Sequence, residues 1–261
     1  MRALPMIVAS LIVCYGSSLK SYAQESIPAE LAYRTSFIRK PDATEGGTAF
    51  AIDYKGRIYL VTARHVVEGI PDHDAILQLR RTIVKWEDYH AVKTIYPSSP
   101  DVDIAVLSTN ETAPQPFSVG LAGTTTGIGI TFGQVVWFIG YPFGMVSVGA
   151  TGSNITPENG IPFAKRGSMS AVDASNPDAV VYYIDGFNNP GFSGGPVIYY
   201  EFASHQYKLL GVVKGYKPEA AHILINGKFV DTQILVNSGI LVCYSIQHAV
   251  DAIEKSLSNT S

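Results

Sequence analysis

The chain has 261 residues, is 46% hydrophobic and 16% charged, and carries a formal net charge of −3. That balance excludes a disordered chain, and the length is enough to bury a sizeable core. No basic cluster longer than the Leu79-Arg80-Arg81 run occurs, which argues against nucleic acid as a partner.

Residues 1–23 stand apart. Arg2 gives a short positive start, "ALPMIVASLIVCYG" is an apolar run too short for a membrane span, and Ser21 and Ala23 place small residues two apart. This is the pattern of an export signal cleaved after Ala23, with no stable membrane insertion afterwards. Cleavage would remove Arg2 and Lys20 and leave 17 basic against 22 acidic residues. It would also leave Cys243 as the single cysteine, so the exported domain has no internal disulfide and is held by its core.

Short runs rich in Val, Ile, Tyr and Phe then follow one another between turn residues, among them "TAFAIDYKGRIYLVTA", "DIAVLS", "QVVWFIGYP", "AVVYYIDG", "PVIYY" and "YKLLGVVKGY". Each is of strand length. Lys55-Gly56 and Asn226-Gly227 are placed as two-residue hairpin turns. Residues 108–127, rich in Pro, Thr and Gly, form a seam between halves of similar size. The predicted division is a signal at 1–23, β domains at 24–125 and 126–245, and a helix at 246–261. In that helix Ile246, Ala249, Val250, Ile253 and Leu257 share one face. Many short strands with frequent turns and little strand-helix alternation predict an all-β barrel or sandwich.

Candidate chemistry gathers at "NNPGFSGGPVIYY", residues 188–200. Gly191, Gly194 and Gly195 let the backbone bend around Ser193 so that successive N–H groups face one concavity, as a developing oxyanion requires. A serine nucleophile needs a base, and the base an orienting carboxylate. His65 lies just past an apolar strand in "YLVTARHVV". Asp103 directly abuts the apolar Ile104–Leu107 run, and for that reason is preferred over Asp101. A carboxylate pressed against such a run needs a group that accepts its charge, and a histidine N–H would serve.

"TARHVV", "DIAVL" and "GFSGGP" in this order resemble the trypsin-like serine peptidases of chymotrypsin fold, most nearly the bacterial HtrA-like and glutamyl-endopeptidase-like branch. "GYPFG" at 140–144, "KRGSMSA" at 165–171 and the Asp185–Asn189–Gly191 spacing before Ser193 strengthen the similarity. The resemblance implies two Greek-key β-barrels with the site between them. It implies Ser193 as nucleophile, His65 as general base and acid, and Asp103 as the group that orients His65. It implies the Gly191 and Ser193 amides as oxyanion hole, a polypeptide substrate, and no metal or organic cofactor. No PDZ domain is expected beyond the terminal helix. Phe192, where trypsin has an acid, rules out its zymogen switch. Phe187, six before the serine, and Lys214 are the candidates for the specificity pocket. With no acid at 187, cleavage after Lys or Arg is disfavoured, and an apolar or small residue is favoured. Activity is expected to rise with pH as His65 sheds its proton.

Asp185 is expected to accept turn N–H groups below the nucleophile. His73, His90, His205, His222 and His248 are expected on the surface, and Arg64 in solvent. Two other readings remain: a catalytically inactive binding protein on the same fold, and an α/β-hydrolase-type esterase with Ser193 on a nucleophile elbow served by Asp231 and His248.

Overall fold

The computed structural model describes residues 26–80, 85–110, 117–118, 130–147 and 161–259; the proposed signal segment and most of the 108–127 seam lie outside them. After a single helical turn, α1 (Ala29–Ala32), the first half supplies β1 (Thr35–Arg39), β2 (Gly47–Tyr54), β3 (Arg57–Thr62), β4 (His73–Arg80), β5 (Trp86–Ile95), β6 (Ala105–Ser108) and β7 (Phe117–Ser118). The second half supplies β8 (Val135–Gly140), β9 (Phe163–Asp173), β10 (Val181–Asp185), β11 (Pro196–Glu201), β12 (Gln206–Ile225), β13 (Lys228–Ser245) and the terminal α2 (Gln247–Ser258).

Pairing in the first sheet runs β1-β4-β5-β6-β3-β2, and β1 also pairs β2, so six strands return on themselves; β7 adds in parallel at Ile52 and Asp53 of β2. The second half is a closed barrel, β10-β13-β12-β11-β8-β9. Read around either ring, three strands run in chain order and the next three in reverse. The two halves therefore share one Greek-key topology, and the sequence expectation of a chymotrypsin-like double barrel holds.

Strand periodicity accounts for where the core sits. In β2, Ala49 and Ala51 point into the first barrel beside Leu60, Leu77 and Tyr89. Phe50, Ile52 and Tyr54 point the other way, into a cluster shared with Ile198, Leu209 and Val212 of the second barrel and with α2. Alternation at period two thus buries both faces of this strand. A third cluster fills the second barrel around Phe138, Tyr182, Phe192, Tyr199 and Cys243. Cys243 is a free, buried thiol whose pKa burial pushes well up.

Both placed hairpins form. Lys55 and Gly56 have φ of 52° and 74°, and Asn226 and Gly227 have 51° and 75°, the paired positive values that suit the twist of the flanking strands. α2 buries Ala249, Val250, Ala252 and Ile253 against the shared cluster. Each large aliphatic side chain so buried contributes roughly 1.5–3 kcal/mol. His248 departs from expectation. It is buried, and its Nε2 accepts from the Val180 N–H at 2.9 Å, because the segment entering β10 crosses the flank of the helix that periodicity alone leaves polar.

Candidate active site

β3 and β6 are neighbours, with Thr62 opposite Ala105. The chain leaves β3 into a one-turn 3₁₀ helix, Arg64–Val66, while Asp103 lies two residues before β6. Both side chains therefore emerge at one end of one strand pair. His65 Nδ1 meets Asp103 Oδ2 at 2.6 Å, and the His65 N–H donates to Asp103 Oδ1 at 2.9 Å. One carboxylate so fixes both the ring and the backbone of the histidine. Burial raises the Asp103 pKa, but the His65 hydrogen bonds and charge, helped by Lys214, together outweigh it. The carboxyl lies below its ordinary value. Asp101 is outside this arrangement; its carbonyl accepts from the Tyr244 hydroxyl at 2.6 Å.

Ser193 lies three residues before β11. Pro196 pairs with Val212 of β12, and the Gly194 N–H donates to the Val213 carbonyl at 2.7 Å, which brings Lys214 alongside the serine. His65, Asp103, Ser193 and Lys214 line one cavity of about 750 Å³, with Tyr216 and Tyr244 among its walls. Ser193 Oγ donates to the Lys214 carbonyl at 3.0 Å, and among the described residues it makes no hydrogen bond to His65. Rotation about χ1 of Ser193 is the motion available to redirect that hydroxyl; catalytic hydrogen bonds are often loose before substrate binds.

The loop around Ser193 is pinned by three hydrogen bonds, one from Phe143 and two from Thr48. The Pro190 carbonyl accepts from the Phe143 N–H at 2.8 Å. In a trans peptide C=O and N–H point opposite ways, so this bond turns the Gly191 N–H away from Phe143. The Gly191 carbonyl accepts from Thr48 Oγ1 at 2.7 Å, and the Ser193 carbonyl from the Thr48 N–H at 2.7 Å. Among the described residues neither the Gly191 nor the Ser193 N–H donates to a protein acceptor. Gly191 has φ +99°, and a Cβ there would lie 2.1 Å from the Tyr141 carbonyl oxygen. Only glycine fits. Behind it, burial pushes the Tyr141 phenol up to about 12, and its hydroxyl donates to the Thr35 carbonyl at 3.1 Å.

Other placements differ from the sequence reading. Phe187 is 56% exposed and lies outside the cavity lining, whereas Lys214 is part of it. The turn before Ser193 is braced by Lys165, whose Nζ donates to the Phe187 carbonyl and to Asn189 Oδ1, each at 2.6 Å; Asp185 is exposed and is not the brace there. The Arg64 guanidinium sits over the Tyr96 ring at 4.8 Å. Thr48 and Lys165 are the braces of the Ser193 loop that sequence reasoning missed. The alternation of β2 marks Thr48 only as inward-facing, and nothing local marks Lys165. The nucleophile-elbow alternative is contradicted: Ser193 leads into a strand rather than a helix, Asp231 is exposed on the outer part of β13, and His248 is buried against Val180.

Residues 47–202 match the trypsin-like peptidase domain family. The chain is similar to Protease Do-like 1, chloroplastic, of Arabidopsis thaliana, at 28% identity over 152 residues, 58% of this chain and 30% of that protein. It thus spans under a third of that curated relative's length. Two solved structures share the fold. The serine endoprotease from Yersinia pestis has a TM-score of 0.51 at 18% identity, over 88% of this chain and 67% of that one. The MamO protease domain from Magnetospirillum magneticum has a TM-score of 0.50 at 17% identity, over 85% and 96%.

Proposed function

The chain belongs to the trypsin-like peptidase family, a family of serine endopeptidases, and from that premise we propose that it hydrolyses peptide bonds after export, through His65, Asp103 and Ser193. His65 takes the proton of Ser193 Oγ as the hydroxyl attacks the scissile carbonyl, forming a tetrahedral adduct. It returns that proton to the leaving amine, giving an acyl-enzyme that water hydrolyses by the same steps. Asp103 keeps Nδ1 protonated and stabilises the imidazolium. The Gly191 and Ser193 amides receive the oxyanion; one such donor is worth about 3–4 kcal/mol in the transition state.

The observation that carries this reading is the 2.6 Å contact of His65 with Asp103 in the same cavity as Ser193, whose own N–H and that of nearby Gly191 have no protein acceptor among the described residues. The substrate is an extended polypeptide, and the cavity's Lys214 and Lys217 disfavour Lys or Arg beside the scissile bond. Export rests on the pattern of residues 1–23. A fluorophosphonate probe tests the assignment: the folded protein is labelled, and labelling disappears in Ser193→Ala and in His65→Ala. A folded protein that resists the probe would instead be a binding module.

A further inference from the structure

β12 and β13 outrun the barrel that they help to close. β12 pairs β11 only as far as Val212, and β13 pairs β10 from Tyr244 to Ile240. The two strands nevertheless continue together from Pro218 opposite Asn237 to Ile225 opposite Lys228. Residues 218–225 alone extend for roughly 25 Å. Among the described residues no third strand pairs with either edge of this ribbon. Leu224, Ile225, Phe229, Ile234 and Leu235 are exposed on it, Phe229 and Leu235 at 72% each. Ile234 and Leu235 point to opposite faces, opposite Ala221 and Ala220, so neither face is a polar back. A bare two-stranded ribbon is marginal in water, and large apolar side chains clustered on one mark a contact surface.

The ribbon is continuous with the cleft. Lys214, Gly215, Tyr216, Lys217 and Pro218 are consecutive along β12, and all line the cavity that holds Ser193. Beyond them, among the described residues, the outer edge of β12 has no strand partner and is a template for one more strand, with Pro218 forgoing a donor. Lys217 and Lys228 balance Glu219 and Asp231, so the ribbon selects neither an acidic nor a basic partner.

We propose that the β12–β13 ribbon is an exosite for the substrate polypeptide itself: an extended, apolar segment remote from the scissile bond adds as a strand to the free edge of β12. This deepens the peptidase reading and rests on it. The structural match is of an extended chain, already required by the cleft, to an apolar edge that begins where the cleft ends.

The test compares a short fluorogenic peptide that fills only the cleft with the same peptide lengthened, on either side, by an extended apolar segment. Two variants are used: Leu224→Ser/Phe229→Ser/Leu235→Ser, and a ribbon shortened by replacing residues 220–235 with Asn-Gly, which can turn between Glu219 and Val236. One lengthened peptide is expected to show a KM about tenfold below that of the short one. Both variants are expected to lose that advantage and to cleave the short peptide at the wild-type rate. An advantage that survives in both variants, or one absent from the wild type, overturns the proposal. So does a concentration-dependent dimer, seen by sedimentation and abolished by the triple substitution without any effect on the peptides. If the probe labels nothing and neither peptide is cut, the peptidase reading has failed. Binding of the lengthened peptide to Ser193→Ala protein, with and without the triple substitution, then decides the exosite.

Discussion

Thr48 Oγ1 donates to the Gly191 carbonyl at 2.7 Å, a bond spanning 143 residues of chain that ties the first barrel to the loop bearing the Gly191 and Ser193 amides. The same side chain accepts from the Tyr141 N–H at 3.2 Å, so one buried hydroxyl couples the 140–144 turn to the Ser193 loop. Thr48→Val keeps the shape and leaves the Gly191 carbonyl without that donor, at a cost of about 1–3 kcal/mol in stability. Because misplacing the amide weakens transition-state contacts before ground-state ones, kcat is expected to fall about tenfold or more with KM little changed. Steady-state kinetics beside a urea melt would check both figures; an unchanged kcat sinks the bracing role.

Gly191→Ala is the sharper perturbation. The new Cβ would lie 2.1 Å from the Tyr141 carbonyl oxygen and 3.0 Å from the Phe143 N, at φ +99°. The loop must move, and Pro190 then releases the Phe143 N–H that aims the 191 amide. Loss of one oxyanion donor predicts a drop in kcat of about 10²–10³-fold, and backbone strain of order 1–3 kcal/mol predicts a lower melting temperature. A fully active, equally stable alanine variant would show that the loop is softer than its contacts imply.

Asp103→Asn separates orientation from charge. The amide keeps the size of the carboxylate but favours the other imidazole tautomer, so turnover is expected to fall by up to about 10⁴-fold while the cavity persists. The pH dependence of stability carries a sign. The folded Asp103 carboxyl lies below its ordinary value of about 3.9, so its contribution is complete above that value and lost as pH falls through the folded one. Urea midpoints of the wild type should therefore drop more steeply in acid than those of Asp103→Asn. Parallel curves would argue against a stabilising His65–Asp103 pair.

How far these features could be read in advance follows from their range along the chain. The Asn226-Gly227 turn, the apolar face of α2 and the "GFSGGP" bend are written in a few adjacent residues, and all form. Thr48 depends on a partner 143 residues away, and Lys165 on a loop 22 to 24 residues on; neither has a local signature. Phe187 is a pocket candidate only through the family resemblance, as the residue six before Ser193. The structure turns its ring outward beside the Lys165 ammonium, 5.5 Å away, and leaves Asn188 and Pro190 to line the cavity. The length of β12 and β13 escaped for another reason: "GKFVDTQILVNSG" has strand character, yet nothing in it tells a barrel strand from a free ribbon.

His248 provides a test on the far side of the shared core. Burial, the leading cause, lowers its pKa below the ordinary imidazole value, and the neutral ring accepts from the Val180 N–H. The unfolded chain then binds a proton that the folded chain refuses. Stability is expected to fall as pH drops below about 6.5 and to level off once the folded value is passed. His248→Gln retains a neutral acceptor and should flatten this part of the profile. A wild-type melting temperature that is constant from neutrality into mild acid would contradict a buried neutral His248.

Lys165 offers the cleanest separation of substrate binding from chemistry. Its ammonium holds the Phe187 carbonyl and Asn189 Oδ1 at 2.6 Å each and lies 5.6 Å from the Phe192 ring centroid, inside the turn that precedes Ser193. Burial lowers its pKa, yet both hydrogen bonds need only an N–H donor. Asn188 and Pro190, on either side of Asn189, face the cavity, so slack in this turn deforms the wall that meets the substrate side chain. Pro190 stays held from the other side by Phe143. Lys165→Met is therefore expected to raise KM several-fold, with kcat and the rate of fluorophosphonate labelling close to wild type. Lys165→Arg, whose planar fork can reach two acceptors, should restore much of the loss. A matched fall in kcat and labelling at constant KM would instead place Lys165 in control of the oxyanion amides.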